Sequence, residues 1–520
     1  MNVKAPDKNC AVIIGVGQYK DSAAQDMSTP SEFKGPVYMG TQAATRALSD
    51  THENAQIRAV VANQIDTVFC ARTFADSGPL FPCPFGRSKN MGAAIARGAG
   101  IYSSRHVYAV IGGDTPQSLV AEAAEEIEAG AAKAVMICGG EAIANMKTAM
   151  RVGMALDWSD DVEAPLEDRG FFTPNCPPLM SRSAMQHQLY TPIEYYGLLE
   201  NARRARQGLS REDYRKTISE IMGGMLQTSI GNPFSAHSDI DKDLLTLTPA
   251  NPLFTDIYSK AILPKDAVNQ GAAVIMTSYG RAIDMGLDPS RFVYLQAHVE
   301  GSESPVLERP DIDKSPVLEA CITHAMATAN VTAQDINLYD LYSCFPIVLK
   351  ESAKVLGLNV YKDNLTLTGG LAFFGGPGNN YSLHGIVDMV NQIRDKSGLN
   401  YGLIHANGGF MSKHAVGIYS NKAASYPTRI IRHMAEDGPA LKTIDAASGA
   451  GMLESFCVNY RQGVAVNAVI IGHLKDNGHR FYAKPKPEHI TDLLNWLIGD
   501  DPFGQAVEIY TDGIKNYFMR

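Results

Sequence analysis

Residues 107–140 read VYAVIGGDTPQSLVAEAAEEIEAGAAKAVMICGG. An apolar run meets Gly112-Gly113, a segment of helical spacing follows and stops at Gly130, and a second apolar run, KAVMIC, ends in Gly139-Gly140. Leu119, Val120, Ala123, Ala124 and Ile127 recur at i, i+1, i+4, i+5 and i+8, one face of a helix. Strand, glycine turn, helix and buried strand make the βαβ unit of a parallel sheet covered on both faces. The same grammar returns at residues 368–394, TGGLAFFGGPGNNYSLHGIVDMVNQIR, with Leu383, Ile386, Val387, Val390 and Ile393 as the helix face. The run YGLIHA then leads to Gly408-Gly409. Two such units in one chain predict an internally duplicated α/β domain.

Around the two units the texture differs. Residues 146–260 are rich in Pro, Met, Arg and polar residues, with a helix expected near 192–207, and read as an inserted loop region covering a site. QGAAVIMTSYGRAIDMG then resumes the first half as a buried strand and short helix. After about Tyr426, short apolar or alternating runs flank two turns, Arg461-Gln462-Gly463 and Asp476-Asn477-Gly478, which predicts a small β-barrel or sandwich. The expected division is a first half at 1–145 and 261–290, the insertion at 146–260, a second half at 291–425 and a β domain at 430–520.

Composition removes several function classes. A net charge of −9 with no basic stripe argues against nucleic acid as a partner. No run approaches the roughly 18 apolar residues of a membrane span, and neither end shows a targeting signal, so a cytoplasmic protein is expected. The eight cysteines form no CxxC pair and the 13 histidines no HxxxH or HExxH group; reduced thiols and no metal site are expected.

The segments carrying the duplication also carry a family resemblance. The GGDTPQSLVAEAAEEIEAG block and the following AAKAVMICGGEA resemble the thiolase segment that holds the nucleophilic cysteine and ends in a Gly-Gly-Glu turn. NQGAAVIM resembles the thiolase NDGAAA strand, LYSCF stands where thiolases carry NEAF or HDCF, GGLAFFGGP where they carry GG…GHP, and ANGGFMSKHAVG resembles their CxGG turn. Together with DLYSCFP and GGPGNNYSLHG, these motifs resemble most closely the thiolase-like protein type 1 group, whose members carry an extra C-terminal domain of OB type. The resemblance spans residues 10–425. It implies two thiolase-type βαβαβαββ halves in a five-layer αβαβα core, followed by an OB-like barrel.

It also implies what is missing. The place of the thiolase nucleophile falls on Gly113, that of the GHP histidine on Gly376 and that of the CxGG cysteine on Ala406. Backbone N–H groups of Gly113, Asp114, Gly408 and Gly409 are candidates for an oxyanion hole, or permit tight turns only. Tyr342 is a candidate hydrogen-bond donor or base, or an aromatic packed under a turn. Cys344, on the same face if this stretch is a strand, is a nucleophile or an inert buried thiol. His384, one turn into the second-half helix, offers with Asn380 polar groups near the dipole's positive end, unless it is a structural histidine. His414, beside Lys413, is a further candidate. Asn407 could orient a substrate carbonyl or take a left-handed turn. Asp114 is a base or, more in keeping with its position, the N-cap of a helix from Thr115.

Three functions fit. The first is an acyl-CoA-handling acyltransferase of the thiolase type with a non-standard site. The second is a retro-aldol or aldol lyase working on an acyl-CoA thioester through Tyr342 and His384. The third is a non-catalytic CoA or acyl-CoA binder. In each, no cofactor is resident and a coenzyme A thioester is substrate or ligand. Thiolases pair edge strands of their first halves, so a homodimer is expected from the resemblance.

Overall fold

Each expected unit contributes to a separate sheet, and the two glycine turns meet between them. The computed structural model describes residues 6–22, 33–78, 82–171, 180–236, 243–434 and 439–520; Cys176 and the rest of 172–179 in the insertion lie outside the described residues. The first sheet holds β1 (Ala11–Lys20), β2 (Ile65–Cys70), β3 (Arg105–Tyr108), β4 (Ala134–Ala142), β5 (Glu167–Asp168) and β6 (Asn269–Ser278), in the order β1-β6-β4-β2-β3-β5. The second holds β7 (Tyr294–Ser302), β8 (Leu338–Leu341), β9 (Tyr401–Gly408), β10 (Lys413–Ser420) and β11 (Arg429–Met434), in the order β11-β7-β10-β9-β8.

Helices Thr115–Glu128 and Tyr381–Asp395 lie between the sheets. Every apolar position read as their inner face is buried, in one cluster with Val107, Val135 and Val274 of the first sheet and Leu295, Ile404 and Tyr419 of the second. Helix Pro36–Thr51 covers the outer face of the first sheet, and helices Pro316–Ala329 and Pro346–Leu356 that of the second. The stack is therefore the αβαβα core expected of thiolase-type halves.

Two short strands depart from the sequence reading. β5 comes from the insertion and pairs in parallel with β3, so the edge strand of the first half is covered by the chain itself. Arg105 clamps it through Glu126 at 2.7 Å and Glu167 at 3.0 Å, and Arg169 reaches Glu122 at 2.6 Å. β11, read as part of the 430–520 domain, pairs instead with β7 and extends the second sheet.

The C-terminal domain proper then starts at β12 (Gly449–Arg461), followed by β13 (Val464–Leu474), β14 (Arg480–Pro485), β15 (Ala506–Thr511) and β16 (Asn516–Met519). They close a barrel in the order β12-β13-β14-β16-β15, with helix Ile490–Asp500 between the third and fourth strands, the OB-type arrangement. Both turn signals fall where expected, with Gly463 and Gly478 at positive φ.

The insertion is substantially helical rather than a loop. Thr191 and Glu194 form a capping box for helix Pro192–Gln207, and helix Arg211–Gly231 follows. Buried Arg204 pairs with Asp501 at 2.7 Å and Ser455 Oγ donates to Leu198 O at 2.6 Å, fastening barrel to insertion. Among the described residues no helix is long and apolar enough to cross a membrane, and no group of His, Cys, Asp and Glu side chains could hold a metal ion.

Candidate functional site at the crossing of two glycine turns

The turn after β3 and the turn after β9 come from different halves, and their glycines let the two backbones touch. The Gly112 N–H donates to Asn379 Oδ1 at 3.1 Å, and Ser382 Oγ donates to Gly113 O at 2.6 Å. The start of helix Tyr381–Asp395 is thereby tied onto the first turn. A Cβ at Gly113 would lie 2.2 Å from Tyr342 Oη and 2.5 Å from Asn407 O. The Tyr342 phenol thus fills the space into which a side chain at position 113 would project.

Tyr342 does not belong to a strand. β8 ends at Leu341 and the next helix begins at Pro346, so the same-face argument linking Tyr342 to Cys344 fails. Both nevertheless reach the second turn. Burial, then the Cys344 thiol and the Asp114 carboxyl, hold the Tyr342 hydroxyl well above the usual phenol range, so it stays a hydrogen-bond donor. Its ring packs edge-on against Tyr381 at 5.3 Å.

Asp114 corrects another expectation. Its side chain makes no capping hydrogen bond to the helix it precedes. The carboxyl folds back so that Cβ atoms at Gly112 and Gly408 would stand 2.2 and 1.9 Å from Oδ1. Lys413, 3.4 Å from that oxygen and donating to Ile111 O at 2.7 Å, draws it there. A cavity of about 250 Å³ opens beside the pair, lined also by Thr115, Ser118, Glu300 and His414.

Cys344 lies 3.5 Å from Tyr196 Oη and 3.6 Å from Asn407 Nδ2, and burial pushes its thiol up to about 12. Such a thiol is protonated at neutral pH and a poor nucleophile. Tyr196, supplied by the insertion and not singled out in the sequence, knits this region together. Its hydroxyl accepts from Asn407 Nδ2 at 3.0 Å and from the Met411 N–H at 2.8 Å. Asn407 Oδ1 is buried without a hydrogen-bond partner, which leaves an acceptor at the second turn. Gly409 takes a φ of 63°, where glycine costs nothing.

Of the two histidines, His414 lines the cavity beside the Asp114–Lys413 pair and His384 does not. His384 is fully buried, its Nδ1 2.7 Å from Gln18 Oε1. Gln18 Nε2 donates to Asp388 at 2.5 Å, so its oxygen faces the ring and His384 carries its proton on Nδ1. Nε2 is left buried without a partner, and burial lowers the pKa to about 3. His414 sits in a buried chain, 3.2 Å from His405 Nε2 and 3.0 Å from Ser315 Oγ, with burial and then His405 holding it well below the usual range. Asn379 holds the Gly112 turn, and the Asn380 amide lies against Gly139 with both polar atoms unpartnered.

Residues 431–514 match the family model for the thiolase-like protein type 1 additional C-terminal domain. The crystal structure of a monomeric SCP2-thiolase like protein type 1 from Mycobacterium smegmatis matches with a TM-score of 0.79, at 32% identity over 99% of both chains. The chain belongs to this family. The dimeric peroxisomal thiolase of Saccharomyces cerevisiae matches 80% of the type 1 chain described here and 98% of its own, at 12% identity and a TM-score of 0.55. Human mitochondrial 3-ketoacyl-CoA thiolase in complex with CoA covers 80% and 99%, at 14% identity and a TM-score of 0.53. These two likenesses are of fold alone. A search of the curated proteins returned no match.

Proposed function

We propose that this chain binds an acyl-CoA thioester where the two glycine turns cross and acts on it by proton transfer beside the carbonyl, without an acyl-enzyme. One observation carries the reading: the Tyr342 hydroxyl occupies the space beside Gly113 that a nucleophilic side chain would need. Tyr342 donates to the thioester oxygen, and the Asp114 carboxylate removes the proton from the adjacent carbon. The C–H electron pair moves into the enolate, whose oxygen charge the phenol steadies. This is the opening step of an aldol addition and, run in reverse, the closing protonation of a retro-aldol cleavage, so the lyase reading is preferred over acyl transfer. Cys344, partly buried and with its thiol pushed up to about 12, gives acyl transfer no support. His384 acts, in this reading, as a structural histidine.

Coenzyme A recognition rests on the fold shared with two thiolases seen in complex with it, human mitochondrial 3-ketoacyl-CoA thiolase and the Acat5 thiolase from Ascaris suum. The covered β3 edge favours a monomer over the expected homodimer. Intact mass after incubation with acetyl-CoA and longer acyl-CoAs, alongside calorimetry with CoA, tests the reading. Binding with no mass increase is expected; a stable acyl adduct on Cys344 would overturn it.

A further inference from the structure

A second cavity, away from the Asp114–Lys413 pair, has a volume of about 410 Å³. That is within the range of small-molecule sites. Its walls are mostly apolar, among them Val37, Met91, Ile143, Met146 and Trp158. Thr73, Asp76, Arg87, Ser88 and Glu141 interrupt them. Glu141, at the end of β4, is only 3% exposed. Its Oε1 accepts from the Phe74 N–H at 2.6 Å, while Oε2 has no hydrogen bond to a described residue. Ser88 Oγ is likewise buried without a partner. At the rim, Asp76 is already engaged, by Tyr108 Oη at 2.7 Å and Arg87 at 3.3 Å.

A buried hydroxyl without a partner is costly until something bonds to it, and Glu141 in the same lining has an oxygen left to offer such a ligand. Burial, with Asp76 and Asp266 nearby, pushes the Glu141 carboxyl up to about 8, so at neutral pH it is mainly the acid, able to donate and to accept. With Glu141 mainly neutral and Arg87 paired with Asp76, the described lining of the chamber offers no free cation to an anionic head group, and the apolar walls disfavour a heavily hydrated one. We infer that this cavity is a binding site for a compact apolar molecule carrying a hydroxyl group, held by Glu141 and Ser88. The hydroxyl donates to one partner and accepts from the other, and the walls take the hydrocarbon. The site is independent of the thioester reading above.

Calorimetric titration of the full chain with 4-phenylbutan-1-ol and with butylbenzene, which lacks only the hydroxyl, tests this. The alcohol should bind about tenfold more tightly, the worth of one well-made buried hydrogen-bonding group. Glu141→Leu should erase that advantage while butylbenzene still binds. If that chain does not fold, Ser88→Ala should reduce the advantage about threefold, and Met146→Trp, which fills the chamber, should abolish binding of both. Equal affinity for the two probes, no binding of either, or binding unaffected by Met146→Trp would overturn the inference.

Discussion

Replacing Gly113 with alanine would place a methyl carbon 2.2 Å from Tyr342 Oη, 2.8 Å from Tyr342 Cζ and 2.5 Å from Asn407 O. All three distances are far inside van der Waals contact, and one partner is backbone, so the two turns must part. Overpacking of this kind costs about 1–3 kcal/mol, and the backbone contact puts Gly113→Ala at the upper end. With an unfolding entropy of roughly 2 cal/mol/K per residue, a loss of that size lowers Tm by only about 3 °C in a chain this long, so urea denaturation is the better assay. Tyr342→Ala removes two of the three contacts. In that background the cost of Gly113→Ala should fall by about 0.5–2 kcal/mol, a coupling a double-mutant cycle resolves. If Gly113→Ala is neutral, or costs the same with and without the Tyr342 ring, the phenol does not fill that space and the proposed division of labour collapses.

Three further outcomes are expected. Cys344 should resist iodoacetamide at pH 8 in the native chain and react fully in urea, because burial holds the thiol near 12; peptide mass spectrometry reads both states, and rapid native labelling would revive it as a nucleophile. Burial raises the Glu141 carboxyl from 4.5 to about 8, so the stability it contributes is complete below 4.5 and lost as pH rises through about 8. Relative to Glu141→Gln, the wild type should therefore lose up to about 4 kcal/mol between pH 5 and pH 9, and parallel stability curves would refute the assignment. Sedimentation velocity should show a 56.2 kDa monomer, since β5 occupies the β3 edge; a dimer would require another surface.

The layers were legible because their signals are local. Glycine-bounded segments with a 3.6-residue apolar period gave helices 115–128 and 381–395, and Gly463 and Gly478 marked the barrel hairpins. β5 was invisible: Glu167-Asp168 has no strand pattern, and its place depends on arginines that pair across long sequence separations. β11 carries charges among its isoleucines and looked like part of the following β domain. The site suffered more, since its contacts are remote in sequence. Asp114 stands where a capping residue belongs, but Lys413 from the other half claims its carboxyl. His384 looked available until Gln18 and a wall of buried side chains enclosed it. Tyr196 lay in the helix expected near 192–207, but no local signal showed that its hydroxyl would meet Asn407, and Asn379, which holds the Gly112 turn, was passed over. Tyr342 was singled out because its segment carried a motif, and its hydroxyl stands beside Gly113.

Proton transfer next to a bound thioester can be measured without knowing the full reaction. Acetyl-CoA and a longer acyl-CoA would be incubated with the protein in D2O, and deuterium at the carbon beside the carbonyl followed by mass spectrometry. Exchange well above the buffer rate is expected, slowed at least about 100-fold by Asp114→Asn, the usual worth of a positioned base, and less by Tyr342→Phe. Exchange no faster than in buffer, in a sample that binds the thioester, would contradict the central claim and leave a protein that only binds.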